Sequence, residues 1–120
     1  MKILLLGANG QLAKTIKETK PKDINLISFS SSEFNFLDMQ RSIKNVENIN
    51  PTHIINAAAY TNVDKAESEK ELAERINAYA PFEIASSAAS LECKFIQIST
   101  DFVFNGSQCY PYKPKDIVSP

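Results

Sequence analysis

Short apolar runs alternate with helical stretches through the first hundred residues, and this alternation is the strongest restriction on the fold. Lys2-Ile3-Leu4-Leu5-Leu6 carries a continuous apolar run that ends at Gly7, the pattern of a parallel strand covered on both faces. A helix is predicted from about Gln11 to Thr19, with Leu12 and Ile16 on one face and Pro21 stopping it. Asn25 to Phe29 reads as a second strand, Met39 to Asn48 as a second helix, and His53 to Asn56 as a third strand. The longest helix is predicted over Glu69 to Ser90, kinked or divided at Pro81, with Tyr79 and Phe82 in the core. Lys94 to Ser99 is the fourth strand, with Phe95, Ile96 and Ile98 expected to be buried. After Thr100 the chain turns irregular, with a turn at Asn105-Gly106, and Pro111, Pro114 and Pro120 exclude further regular helix. Such βαβ crossovers imply an α/β fold, a Rossmann-type parallel sheet with flanking helices. The expected strand order is 3-2-1-4, with a ligand crevice at the switch point between strands 1 and 4.

Composition narrows the functional classes. At 120 residues the chain is one domain, small for a complete Rossmann enzyme. A net charge of -1 without a basic run gives no footprint for nucleic acid. The opening apolar run is too short for a signal-peptide core and no membrane span is visible, so a cytoplasmic protein is expected. Cys93 and Cys109 show no metal-ligand spacing and are expected to be reduced and structural, and no metal site is expected.

Gly7-Ala8-Asn9-Gly10-Gln11-Leu12-Ala13 joins the first strand to the first helix. A tight turn there needs backbone free at positive φ, and a pyrophosphate needs amides unshielded by side chains. Gly7 suits the turn, Gly10 the close approach, and Ala13 the packing of helix on sheet. An ordinary βα turn is the competing reading. The acid that usually binds the ribose hydroxyls, about 20 residues further on, is replaced by Ser30, followed by Ser31 and Ser32. Serine hydroxyls can donate to a 2′-phosphate, so tolerance of or preference for NADP(H) is expected, against a reading as a solvated loop. Ala57, Ala58 and Ala59 are small where a flat dinucleotide must lie, and Tyr60 and Thr61 supply an aromatic wall and a hydroxyl. Close helix–sheet packing explains the alanines equally. Asp64 and Glu67 read as acids at the positive end of the long helix. His53, the only histidine, begins strand 3 at the end away from the crevice and reads as structural.

Three later segments carry more: Ile55 to Glu67 with its Ala-Ala-Ala-Tyr-Thr and Val-Asp-Lys-Ala-Glu, Ile96 to Gly106 with Ser-Thr-Asp-Phe-Val-Phe, and Tyr110-Pro111-Tyr112 with Asp116 and Pro120. With the glycine loop, these make essentially all 120 residues resemble the extended short-chain dehydrogenase/reductases, and within them the dTDP-4-dehydrorhamnose reductase family. The resemblance implies an N-terminal NAD(P)-binding Rossmann domain over residues 1–120, truncated, with the substrate part absent. It implies NADP or NAD as cofactor, held by Gly7, Asn9, Gly10, Gln11, Leu12, Ser30, Asn35, Phe36, Ala57, Ala58, Ala59, Tyr60, Thr61 and Ile98. Asn35 and Phe36 would cup the adenine, although the family commonly has Asp at the position of Asn35. Thr100 would be the catalytic hydroxyl beside the reacting carbonyl, with Asp101 and Phe102 bordering the sugar-nucleotide substrate, and Asn77 matches a helix asparagine of these reductases.

The resemblance also implies NAD(P)H-dependent reduction of dTDP-4-dehydro-6-deoxy-L-mannose to dTDP-L-rhamnose by the full-length enzyme. A tyrosine donates the proton in that family, and a lysine four residues later lowers its pKa. None of Tyr60, Tyr79, Tyr110 and Tyr112 has that lysine, so these 120 residues are expected to be inactive alone. The alternatives are a non-catalytic dinucleotide-binding regulatory module of the same fold, or another sugar-nucleotide epimerase or dehydratase. An unpaired edge at strand 4 makes a homodimer a further expectation.

Overall fold

The structure, a computed structural model, describes residues 1–119. Its elements run β1 (Lys2–Leu6), α1 (Gln11–Thr19), β2 (Asn25–Phe29), α2 (Met39–Ile49), β3 (His53–Asn56), α3 (Val63–Ala66), α4 (Lys70–Glu74), a π-helical stretch (Arg75–Tyr79), α5 (Ala80–Ser90), β4 (Lys94–Gln97) and a 3-10 turn (Asp101–Val103). Pro120, grouped above with the Tyr110-Pro111-Tyr112 segment, lies outside the described residues.

The four strands form one parallel sheet, the Rossmann-type sheet with flanking helices that the alternation predicts. The order along it is β2-β1-β3-β4. It departs from 3-2-1-4 in one step, because the strand beginning at His53 lies on the far side of β1 rather than outside β2. Burial accounts for the placement. Leu4, Leu5, Leu6, Ile54 and Asn56 are all 0% exposed, so β1 and β3 take central places, while β2 begins exposed at Asn25 and forms an edge. The reversal of direction, and with it the crevice, therefore falls between β1 and β3.

One face of the sheet carries Leu4, Leu6 and Ile54, packed with Met39 and Val46 of α2, and Ala80, Ile84 and Ala88 of α5. Phe34 belongs to this cluster too, and Ile27, Phe29 and Phe95 pack against it. On the other face, Ile55 and Ile96 are register partners in β3 and β4. Ile96 is 46% and Ile98 41% exposed, contrary to their expected burial. A strand's side chains alternate between faces; α5 contacts β4 on the side of Phe95, which leaves Ile96 on the uncovered side.

The long helix is continuous from Lys70 to Ser90 but changes its winding at Arg75–Tyr79. Pro81 is the cause we assign. It has no N–H to donate to the carbonyl of Asn77, and its ring would crowd that carbonyl in an α-turn; the wider π-turn relieves both constraints. The extra residue also rotates everything after it, so that Ala80, Ile84 and Ala88 face the core while Tyr79 and Phe82 are 54% and 71% exposed. Both had been expected inside. Asp64 sits in the separate helix α3, whose N-terminus is capped by Asn62 accepting from the Lys65 amide at 3.0 Å. Cys93 is buried and Cys109 exposed, both free thiols, and burial pushes the Cys93 thiol pKa up. Among the described residues no helix is long and apolar enough to cross a membrane.

Candidate functional site

The turn after β1 is tied to the end of β2. The amides of Gly7 and Ala8 both donate to the Phe29 carbonyl, at 3.0 and 2.9 Å, and the Gly10 amide donates to the Gly7 carbonyl at 2.9 Å. Gly7 has φ +85°, and a Cβ on it would lie 2.8 Å from the Ala58 nitrogen. Glycine is needed there twice over, for the backbone angle and for the approach of the Ala57–Ala58 backbone. Lys17 reaches back from α1 to donate to the Ala8 carbonyl at 2.7 Å, which pins the far side of the turn. Gly10 precedes α1 in extended conformation without any side-chain cap, so the first amides of the helix keep their hydrogen-bonding capacity for a ligand.

These pieces surround a cleft of about 480 Å³ at the carboxyl ends of β1, β2 and β3, lined by Gly7, Asn9, Gly10, Gln11, Ser30, Ser31, Phe36, Ala57, Ala58, Ala59 and Thr61. Backbone amides and small side chains make up most of its wall, and no lysine or arginine lines it. The geometry suits an extended ligand whose phosphates lie on the uncapped helix end and whose flat parts lie against alanines.

The cleft gathers most of the residues singled out as cofactor contacts, but Leu12, Asn35, Tyr60 and Ile98 are not in its wall. Leu12 is 42% exposed, and α1 instead buries Ala13. The Asn35 Oδ1 accepts from the Leu37 amide at 2.9 Å, so this acceptor serves the local turn. The Ile98 amide donates to the Asn56 carbonyl at 3.1 Å, one step along the sheet from the cleft. Thr100, Asp101 and Phe102 stand beyond the end of β4, outside the wall. There the Thr100 hydroxyl accepts from the Phe102 amide at 3.2 Å, and Phe102 is 75% exposed. His53 pairs in register with Ile3 and Lys94 at the opposite end of the sheet.

Two features become visible only in the fold. Ser30 is not the bare hydroxyl that its position implies, because Glu33 folds back onto it. The Ser30 amide donates to Glu33 Oε2 at 2.7 Å, and the Ser30 hydroxyl makes a short hydrogen bond to the same oxygen. These bonds from Ser30 hold the Glu33 carboxyl pKa below the ordinary carboxylate range. An acid therefore does reach the end of β2, from three residues further along. A serine followed three positions later by glutamate was the available signal, since that spacing allows a closed turn.

The second feature is Asn77. Its Oδ1 accepts from the Tyr60 amide at 2.8 Å and its Nδ2 donates to the Tyr60 carbonyl at 3.0 Å. The π-stretch thus carries a side chain that pairs with the loop after β3 as a neighbouring strand would. The Tyr60 hydroxyl donates to Glu69 at 2.5 Å, and this carboxylate pushes the phenol pKa up. Asn77→Ala is expected to lower stability by about 1–2 kcal/mol through the two lost bonds. Hydrogen exchange should quicken at Tyr60 and Thr61 while β1 remains protected; unchanged exchange at Tyr60 would show that the clamp does not hold the loop.

The family described as the RmlD substrate binding domain matches residues 1–120. The chain belongs to the RmlD family. Its RmlD-type sequence is 38% identical over 124 aligned positions to a dTDP-4-dehydrorhamnose reductase of Salmonella typhimurium, covering 100% of this chain and 42% of that protein. A crystal structure of such a reductase from Clostridium acetobutylicum superposes with a TM-score of 0.93 at 39% identity, covering 100% of this chain and 43% of the other. The Bacillus anthracis reductase, solved in complex with NADP, has a TM-score of 0.93 at 33% identity, covering 99% of this chain and 43% of that one. This RmlD-family chain thus spans about two fifths of the length of the relatives it matches.

Proposed function

We propose that this chain is the dinucleotide-binding part of a dTDP-4-dehydrorhamnose reductase and holds NADP or NAD in the cleft between β1, β2 and β3. The observation that carries the reading is the junction of Gly7 with Ala58, which leaves a cleft running from the uncapped start of α1 to the alanine wall, lined mostly by glycines, alanines and serines. A pyrophosphate fits the amides at Gly10 to Leu12, an adenosine fits beside Ser30 and Phe36, and the nicotinamide end fits along Ala57 to Ala59. When bound, the reduced cofactor supplies the hydride that converts a sugar carbonyl to an alcohol. The chain's own residues orient the ring, exclude water with the alanine wall, and bring the Thr100 hydroxyl to the carbonyl oxygen of a nucleotide-linked 4-keto sugar. Asp101 and Phe102 border that sugar nucleotide. We assign the full-length protein the reduction of dTDP-4-dehydro-6-deoxy-L-mannose to dTDP-L-rhamnose.

The carbonyl oxygen needs a proton as the hydride arrives, and within these 120 residues no tyrosine is followed four places later by a lysine. The isolated chain is accordingly expected to bind the cofactor without turning over the sugar nucleotide. Calorimetric titration with NADPH and with NADH tests the binding, and failure of both to bind a folded chain overturns the reading. Oxidation of either cofactor on adding the keto sugar nucleotide would overturn the inactivity of the isolated chain.

A further inference from the structure

The turn between β2 and α2 contains a carboxylate, Glu33, that makes no ion pair among the described residues. Ser30 and Ser31 face the cleft, whereas Ser32 and Glu33 line a separate hollow on the far side of the turn, beside Arg41 and Asn45. Glu33 crosses between the two. Besides the bonds from Ser30, the Ser32 hydroxyl lies 2.7 Å from the Ser30 hydroxyl and 3.4 Å from Glu33 Oε2. The turn is closed by the Glu33 and Phe34 amides donating to the Ser30 carbonyl, at 3.2 and 2.9 Å. Phe34 itself is 1% exposed in the core, which anchors the turn. Among the described residues the ion pairs are Lys70–Glu67 and Arg75–Glu83, and neither involves Glu33.

This arrangement fixes what Ser30 offers to a ligand. Its hydroxyl donates to Glu33, so its proton is not free for a ligand, and its oxygen, already approached by the Ser32 hydroxyl and amide at 2.7 and 3.4 Å, offers a ligand only a remaining acceptor lone pair. A ribose 2′-hydroxyl can donate to that lone pair. A 2′-phosphate brings acceptor oxygens and negative charge, and it meets another acceptor with a carboxylate behind it. Like charges brought this close repel, although solvent at this exposed turn screens them in part. The donor for the phosphate that the serines alone would offer is thus lost once the Ser30 hydroxyl donates to Glu33.

We propose that Glu33, acting through Ser30, makes this cleft prefer a free 2′-hydroxyl over a 2′-phosphate on the adenosine ribose. The inference rests on the reading of the cleft as a dinucleotide site, and Glu33 is a positioning residue for it. The carboxyl stays ionised at neutral pH, because the Ser30 bonds favour its charged form. Since the Bacillus anthracis relative was solved with NADP, such a preference belongs to this chain's own β2–α2 turn.

The test titrates the folded chain, and its Glu33→Gln, Glu33→Asp and Ser30→Ala variants, with NADH and NADPH by calorimetry. The wild type is expected to bind NADH about tenfold more tightly than NADPH. Glu33→Gln keeps the shape but removes the charge, and it should tighten NADPH about fivefold or more while leaving NADH within about twofold. Glu33→Asp should retain part of the preference and Ser30→Ala should weaken NADH selectively. A merely structural role for Glu33 would weaken both ligands together and leave their ratio unmoved. An unchanged ratio in Glu33→Gln, or a wild type that binds NADPH as tightly as NADH, overturns the proposal and leaves the dinucleotide reading standing. A wild type that binds neither overturns both.

Discussion

Gly7→Ala is expected to lower the stability of the fold by about 3 kcal/mol, from a left-handed backbone angle and a buried clash together. The clash is with one stretch of backbone: the added Cβ would lie 2.8 Å from the Ala58 nitrogen, 2.9 Å from its Cα and 3.0 Å from the Ala57 carbonyl carbon. Backbone of the central strand's extension cannot swing away as a lysine tip can. Relief requires the turn to separate from the loop after β3, which widens the cleft where Gly7 meets Ala58. Dinucleotide binding should then be lost even where the protein remains folded at low temperature. Urea unfolding followed by circular dichroism measures the first effect and calorimetric titration the second. A loss below about 1 kcal/mol would mean that the loop after β3 yields readily, contrary to its anchoring by Asn77. Gly106 makes a useful contrast. It too has positive φ, at +70°, but a Cβ there meets nothing within 4 Å, so only the backbone strain remains.

Asn56→Ala should cost about 1–2 kcal/mol, since it leaves the half-buried Ala58 amide without its side-chain acceptor as well as deleting the bond to Gln97. Asn56 is 0% exposed at the end of the central strand β3. Its Nδ2 donates to Gln97 Oε1 at 2.8 Å, and its Oδ1 accepts from the Ala58 amide at 3.2 Å. The alanine variant leaves the Ala58 N–H without that partner, inside the wall of the cleft. Gln97→Ala removes one bond from an exposed partner and is expected to cost under about 1 kcal/mol. Denaturant midpoints of the two variants discriminate the assignments; equal losses would place the cost in the Asn56–Gln97 pair and not in the support of Ala58.

The strands and most of the crevice were legible in the sequence because they depend on local patterns. Apolar runs of four or five residues between helical stretches allow little except a parallel sheet, and Gly7 and Gly10 mark the turn that begins the cleft. The position of β3 was less legible. A crossover from β2 can land on either side of β1, and only burial of Ile54 and Asn56 in the folded chain decides between them. The phase of the long helix was misread for a related reason: a helical repeat counted from Leu72 assumes constant winding, and the π-turn before Pro81 breaks it. That is why Tyr79 and Phe82 are found outside. Glu33 is hard to read from residue order because it follows the end of β2 by four residues and returns to Ser30 only when the turn closes. Side chains that return to the site from a few residues away depend on the closure of a turn, which residue type and spacing suggest but do not impose.

The order of the strands has a consequence in time. Leu6 lies beside Phe29 on one flank and Asn56 on the other, so the central strand waits for a partner that is synthesised some fifty residues after it. During synthesis the glycine turn emerges early and stands as an open curl against one edge. The alanine wall that gives it depth arrives only when the loop through Thr61 has left the ribosome. Pairings over such separations form slowly, because chain closure precedes any reward from contact. A nascent chain paused before that point holds an exposed β1 with its leucines unpaired on one side. In the proposed binding mode, a cofactor with its phosphates at Gly10 to Leu12 and its nicotinamide end along Ala57 to Ala59 would act on the growing protein as a clasp that can close only once the second half is present.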